Sequence, residues 1–183
     1  MEKQRLFVDM DGTLAFFRNI DSLELLYEKG YYRNLEPMSN VVEAVKEIIE
    51  NHQEVEVFIL SAVLSDSRYA MQEKIEWLNE YLPEVDQEHC IFPPCGVDKK
   101  EYVPGGIRET DAVLDDYTTN LISWEPSGLG IKILNGINHT KGLWAGNRLD
   151  YSKNGKKLTK NIIQIMQLRC YNKIVTPTLN KMI

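Results

Sequence analysis

The chain has 183 residues, 43% of them hydrophobic and 26% charged, and its 27 acidic against 21 basic residues leave a net charge of −6. That balance excludes a low-complexity or disordered chain and allows one globular domain over residues 1–183, with room for an insertion but not for a second independent domain. No apolar run approaches the ~18–20 residues of a membrane span and no leader segment is recognisable. Three cysteines (Cys90, Cys95, Cys170) are too few for a disulfide framework, so a cytoplasmic protein without a membrane partner is expected.

Apolar runs alternate with amphipathic stretches, the pattern of an α/β domain with a parallel sheet. Arg5 to Asp9 reads as the first strand and ends in Asp9-Met10-Asp11-Gly12-Thr13. Residues 17–37 carry Leu23, Leu25, Leu26, Tyr27, Tyr31 and Tyr32 and read as a small helical insertion over the mouth of that strand. Val41, Val42, Ala44, Val45, Ile48 and Ile49 recur at helical spacing behind Ser39 or Asn40 as N-cap. Glu56 to Leu60 forms the second strand. Ser65 or Asp66 then opens a helix through Ile75, Trp77, Leu78 and Tyr81, which Pro83 stops. His89 to Phe92, Asp111 to Leu114 and Gly130 to Leu134 are the remaining strands, and Leu158 to Leu168 is a last helix. Residues 151–183 hold seven Lys or Arg and no acid. With few aromatics among them, they read as a basic helix on an acidic body, and nucleic acid is not the expected partner.

Ligands of an open α/β sheet sit at the carboxyl ends of its strands. There the first strand delivers Asp9 and Asp11, the second Ser61 and Ala62, and the fourth Asp115 and Asp116, with Asp98-Lys99-Lys100 on the loop leading to the fourth. Each piece alone is common. Together they gather acids, a hydroxyl and a lysine at one edge, which burial opposes unless a cation compensates the charge. His89, Cys90 and Cys95 lack the second ligand pair of a zinc site. His139 reads as a surface histidine, and Trp124 as packing beneath the loop after the fourth strand.

The series Asp9-Met10-Asp11-Gly12-Thr13, Leu60-Ser61, Lys99 and Asp115-Asp116 resembles the four motifs of the haloacid dehalogenase-type phosphohydrolases. Within that superfamily the stretch Val113 to Leu121, with Trp124, Gly128, Ile131-Lys132, Asn135, Asn138 and Gly142 to Gly146, is most similar to the cytosolic type C 5′-nucleotidases, the 5′(3′)-deoxyribonucleotidases. The resemblance implies a three-layer Rossmann-like fold with a cap after the first strand. It implies a Mg²⁺-dependent phosphomonoester hydrolase that passes through a phosphoaspartyl intermediate. Asp9 would be the nucleophile and Asp11 the general acid and base. Gly12, Thr13, Ser61, Ala62 and Lys99 would bind phosphate. Asp9, the Asp11 carbonyl and Asp116 would hold the metal, with Asp115 beside them. Asp115 in place of Asp116, and Lys100 in place of Lys99, stay open.

Phe16 and Phe17 follow the nucleophile closely enough to stack on a nucleobase, although for either ring packing of the insertion competes with that role. The expected partner is a small phosphorylated substrate, a nucleotide first. Another phosphoester, a nucleic-acid end, or a non-catalytic scaffold are the alternatives, and the oligomeric state is open.

Overall fold

The computed structural model describes residues 2–17, 22–137 and 143–179, with side chains to Arg169. Six strands form one sheet: β1 (Gln4–Val8), β2 (Val55–Leu60), β3 (Cys90–Ile91), β4 (Ala112–Asp115), β5 (Leu129–Leu134) and β6 (Asn147–Asp150). All neighbours pair in parallel, in the order β3-β2-β1-β4-β5-β6. Helices α1 (Ser39–Asn51), α2 (Ala70–Tyr81), α3 (Thr118–Trp124) and α4 (Gly155–Leu179) cover it. The result is an α/β Rossmann-like fold.

Strand side chains alternate between two faces, and the cores divide accordingly. Leu6, Val8, Val57, Ile59, Ala112, Leu114, Ile131 and Ile133 join the larger core with Val41, Val45 and Ile48 of α1, Trp77 and Leu78 of α2, and Leu158, Ile162 and Met166 of α4. Phe7, Leu60 and Val113 point to the other face, where they meet Leu121 and Trp124 of α3 and Trp144. The ring of Phe7 lies 5.2 Å from that of Trp124, so the tryptophan does pack beneath the segment after β4.

Several boundaries differ from those that the sequence pattern predicts. Helix α2 starts at Ala70 because the Ser67 hydroxyl accepts from the N–H groups of Tyr69 and Ala70; Asp66 accepts from the Tyr27 hydroxyl instead. Helix α1 begins at Ser39 itself, behind Met38, whose own N–H is tied to the Leu14 carbonyl at 2.7 Å. The short α3 escapes a periodicity search because only Leu121 and Trp124 are buried in its seven residues. Strand β6 escapes it because an edge strand needs little apolar surface, and Leu149 is its one buried residue. Helix α4 starts three residues earlier and runs eleven residues beyond Leu168, to Leu179. Among the described residues, no helix is long and apolar enough to cross a membrane.

Candidate active site

The sheet order turns between β1 and β4, with β2 and β3 to one side and β5 and β6 to the other. The crevice at the carboxyl ends of these two strands is the natural binding position of such a sheet. Asp9 follows β1 and its N–H donates to the Leu114 carbonyl of β4 at 2.9 Å. Asp115 closes β4 and Asp116 follows it, so three carboxylates converge where the strands part. One oxygen from each of Asp9, Asp115 and Asp116 can lie within 4.8 Å of the others, and all three residues are buried.

Two lysines reach this cluster from opposite sides. Lys99 comes from a 3₁₀ turn (Lys99–Tyr102), and its Nζ lies 2.9 Å from both Asp9 Oδ1 and Asp115 Oδ2. Burial works against its charge, but Asp115 and Asp9 beside it hold the ammonium above the ordinary lysine range. Lys100 points outward to Asp98 at 3.1 Å. The second lysine, Lys74 of α2, is completely buried and donates to Asp11 Oδ2 at 2.6 Å, Ala62 O at 2.7 Å and Ser61 Oγ at 3.0 Å. Burial pushes the Asp11 carboxyl upward; Lys74 opposes this, and the charge of Asp9 adds to it.

The two acids after β4 sit differently. Asp115 accepts from the Tyr117 N–H at 2.7 Å, from Asn120 Nδ2 at 2.8 Å and from Lys99, so both of its oxygens are engaged. Asp116 accepts from Asn135 Nδ2 at 2.7 Å, and the same amide donates to the Gly12 carbonyl at 2.7 Å. Lys132 of β5 donates to the Asp116 carbonyl and to Thr118 Oγ1. Burial lowers the pKa of Lys132.

Gly12 and Thr13 form the turn that follows Asp11. Their N–H groups are turned into the loop, toward the carbonyls of Ala15 and Met10, and Thr13 is fully buried. Gly12 has φ +79°, and a Cβ there would lie 2.3 Å from Asp116 Oδ2. Only glycine lets the β1 loop pass that carboxylate.

Above the acids lies a cleft of about 630 Å³ lined by Asp9, Asp11, Ala62, Lys99 and Asp116. Its outer walls are Phe17, the loop from Cys95 to Asp98, and Tyr117, Thr119, Asn120 and Ser123 around α3. Ser61 is buried behind the lining. Phe16 is not among the residues lining the cleft and packs against the larger core. Its ring packs edge-on to Tyr151 at 5.4 Å, because successive side chains of an extended segment point to opposite sides. Of the two rings, Phe17 is the one that lines the cleft. Asn138, His139 and Gly142 lie outside the described residues, as does the segment 18–21 of the insertion.

A family model for the 5′ nucleotidase, deoxy (pyrimidine), cytosolic type C protein matches residues 18–151, well over half of the chain. The chain belongs to this family. The cytosolic type C nucleotidases are part of the haloacid dehalogenase superfamily. A curated protein of Staphylococcus epidermidis is 35% identical over 74 residues, which are 40% of this chain and 38% of that protein. One of Staphylococcus aureus is 33% identical over 93 residues, 51% of this chain and 44% of the relative. Both carry the name 5′(3′)-deoxyribonucleotidase as a provisional assignment, and the chain spans less than half of either.

Lys74 is the functional side chain that sequence reasoning missed. Its signal was available. Ala70, Glu73, Lys74, Trp77, Leu78 and Tyr81 share one face of α2, so two charged residues occupy positions where helical spacing demands apolar ones. Charge on a buried stripe needs partners, and finding them leads directly to Asp11.

Proposed function

We propose that the chain is a Mg²⁺-dependent phosphomonoester hydrolase acting on (deoxy)ribonucleoside monophosphates. The observation that carries this reading is Lys99 held between Asp9 and Asp115, with Asp116 adjacent, at the floor of an open cleft. An electrophilic phosphorus, its anionic oxygens and a cation would each find a matching group there. Membership of the cytosolic type C nucleotidases supports the nucleotide as substrate and the cytoplasm as location.

The donor set suits magnesium, a hard cation that prefers oxygen ligands and needs only one or two carboxylates from the protein. Asp9 and Asp116 would hold it with the Asp11 carbonyl, while Asp115, its oxygens engaged, would fix Lys99 and Asn120. When bound, Mg²⁺ draws charge from the phosphoryl oxygens and makes phosphorus easier to attack.

Asp9 attacks phosphorus with one carboxylate oxygen, forming an acyl phosphate as the bond to the ester oxygen breaks. Asp11, its carboxyl held upward by burial, gives its proton to the departing alkoxide. The resulting carboxylate then takes a proton from water, whose oxygen attacks phosphorus and releases Asp9 and inorganic phosphate. Lys99 offsets charge on Asp9 and on the phosphoryl group throughout. Ser61 Oγ accepts from Lys74 and so aims its own O–H toward a phosphoryl oxygen, beside the main chain of Ala62. Phe17 offers a face to the base. Residues 17–37 serve as a short cap on a single domain.

Phosphate release with Mg²⁺ from nucleoside monophosphates, sugar phosphates and phosphorylated oligonucleotides tests this. Turnover of nucleotides that Asp9→Asn abolishes is the expected result. Turnover confined to sugar phosphates would reassign the substrate, and undiminished activity in Asp9→Asn would overturn the mechanism.

A further inference from the structure

Glu73 immediately precedes Lys74 and is equally enclosed, at 5% exposure. Its partners are main-chain N–H groups of the cap segment. Gly30 N donates to Oε1 at 2.5 Å, and Tyr32 N and Arg33 N donate to Oε2 at 3.1 and 3.4 Å. A buried carboxylate is costly without such donors, and three converging N–H groups replace its hydration. The turn also needs Gly30, whose φ is +90°.

The segment that Glu73 grips returns to Lys74. Tyr32 is buried, and the centre of its ring lies 5.1 Å from Lys74 Nζ. One residue of the cap is thus fixed twice: its N–H by Glu73, its ring against the ammonium of the next residue. The ring faces the ammonium that donates to Asp11, Ser61 and Ala62. A cation on an aromatic face gains electrostatically, most where water is excluded.

We propose that Glu73 is a positioning residue: by clamping Gly30–Arg33 it seats the Tyr32 ring against Lys74, and the seated Lys74 aims the Asp11 carboxyl at the leaving-group oxygen. This rests on the phosphohydrolase reading above. Cap attachment and proton delivery then form one mechanical unit, carried by two consecutive residues of α2. Further ties run along the same helix, from Trp77 Nε1 to the Leu35 carbonyl at 2.8 Å and from Arg33 to Glu80, so the described part of the cap is a fixed wall on this side.

Leaving-group dependence isolates the effect. An alkoxide needs the proton of Asp11 as it departs, whereas p-nitrophenolate leaves as a stable anion. Glu73→Gln replaces an acceptor oxygen by an NH₂ group facing N–H donors. It is expected to lower kcat/KM, which reports formation of the acyl phosphate and not the water attack common to both esters, at least ~10-fold for a nucleoside monophosphate and less than ~2-fold for p-nitrophenyl phosphate, since loss of aim alone costs up to ~100-fold. Glu73→Asp, which keeps the charge, should recover part of the loss. Tyr32→Leu leaves the clamp and removes the ring, and should show the same selectivity more weakly even if Glu73→Gln does not fold. Equal loss of kcat/KM on both substrates in either folded variant would overturn the proposal. Failure of the intact protein to hydrolyse either ester would instead overturn the phosphohydrolase reading.

Discussion

The two ends of the sheet bury charge in opposite ways. At the amino end, Arg5 meets Asp111 through Nε at 3.0 Å and Nη2 at 2.5 Å, both side chains almost wholly enclosed. Nη1 and Nη2 also donate to the carbonyls of Pro104 and Gly106, each at 2.7 Å, and the Arg108 N–H donates to Asp111 as well. One cation meets one anion, and all three guanidinium nitrogens donate. At the carboxyl end, Asp9, Asp11, Asp115 and Asp116 face Lys74, Lys99 and Lys132, so four acids meet three ammonium groups. Asp11 Oδ1 there is buried without a hydrogen-bond partner among the described residues. Matched burial holds a fold together; unmatched burial is tolerated where a ligand completes it.

Substitution at each end separates the two kinds of burial. Asp9→Asn should reduce turnover below detection while leaving the melting temperature equal or higher, because Lys99 keeps Asp115 and one of four clustered charges is gone. Asp111→Asn should do the reverse. Stranding Arg5 in the interior costs ~3–5 kcal/mol, read by urea unfolding, with kcat nearly unchanged in whatever remains folded. If Asp9→Asn destabilises as much as Asp111→Asn, the contrast between the ends fails.

Metal addition probes the missing charge directly. Mg²⁺ at ~100 times its Kd should stabilise the intact protein by ~2.7 kcal/mol, and Asp116→Asn should lose most of that response. A like response in both would exclude Asp116 as a ligand. Gly12→Ala is milder in stability. The left-handed φ alone costs ~1–2 kcal/mol, and the new methyl must displace the Asp116 carboxylate. Its signature is a weakened Mg²⁺ response beyond what that loss of stability accounts for.

Most of this contrast was legible in the sequence, and the illegible parts have physical causes. Asp9, Asp11, Ser61, Lys99, Asp115 and Asp116 announce themselves because strand ends are easy to find and polar residues there have one place to go. Lys74 and Glu73 were hidden inside a helix, where pattern reading looks for apolar residues and passes over charges on the same stripe. The Arg5–Asp111 pair was equally invisible, since its partners are 106 residues apart and neither position is unusual alone. Gly12 was visible, but not the neighbour that makes glycine necessary there. A sequence shows that a turn is tight; it takes the neighbouring strand to show which side chain the missing Cβ would strike.

Strand β3 repeats the comparison with cysteines, on a smaller scale. Cys90 begins the strand, and burial, with the charge of Asp86, pushes its thiol up to about 11. Cys95 lies on the loop beyond the carboxyl end, exposed and lining the cleft. Thiolate is the nucleophile, so iodoacetamide at pH 8 should alkylate Cys95 well before Cys90. Raising the pH toward the Cys90 value should narrow the gap, because its thiolate fraction rises with each step. Inorganic phosphate with Mg²⁺ should slow Cys95 alone, by ~2-fold if the anion only partly covers the cleft. Peptide mass mapping of the two sites reads all three effects, and equal protection of Cys90 would mean that the ligand tightens the whole domain instead of filling its open end.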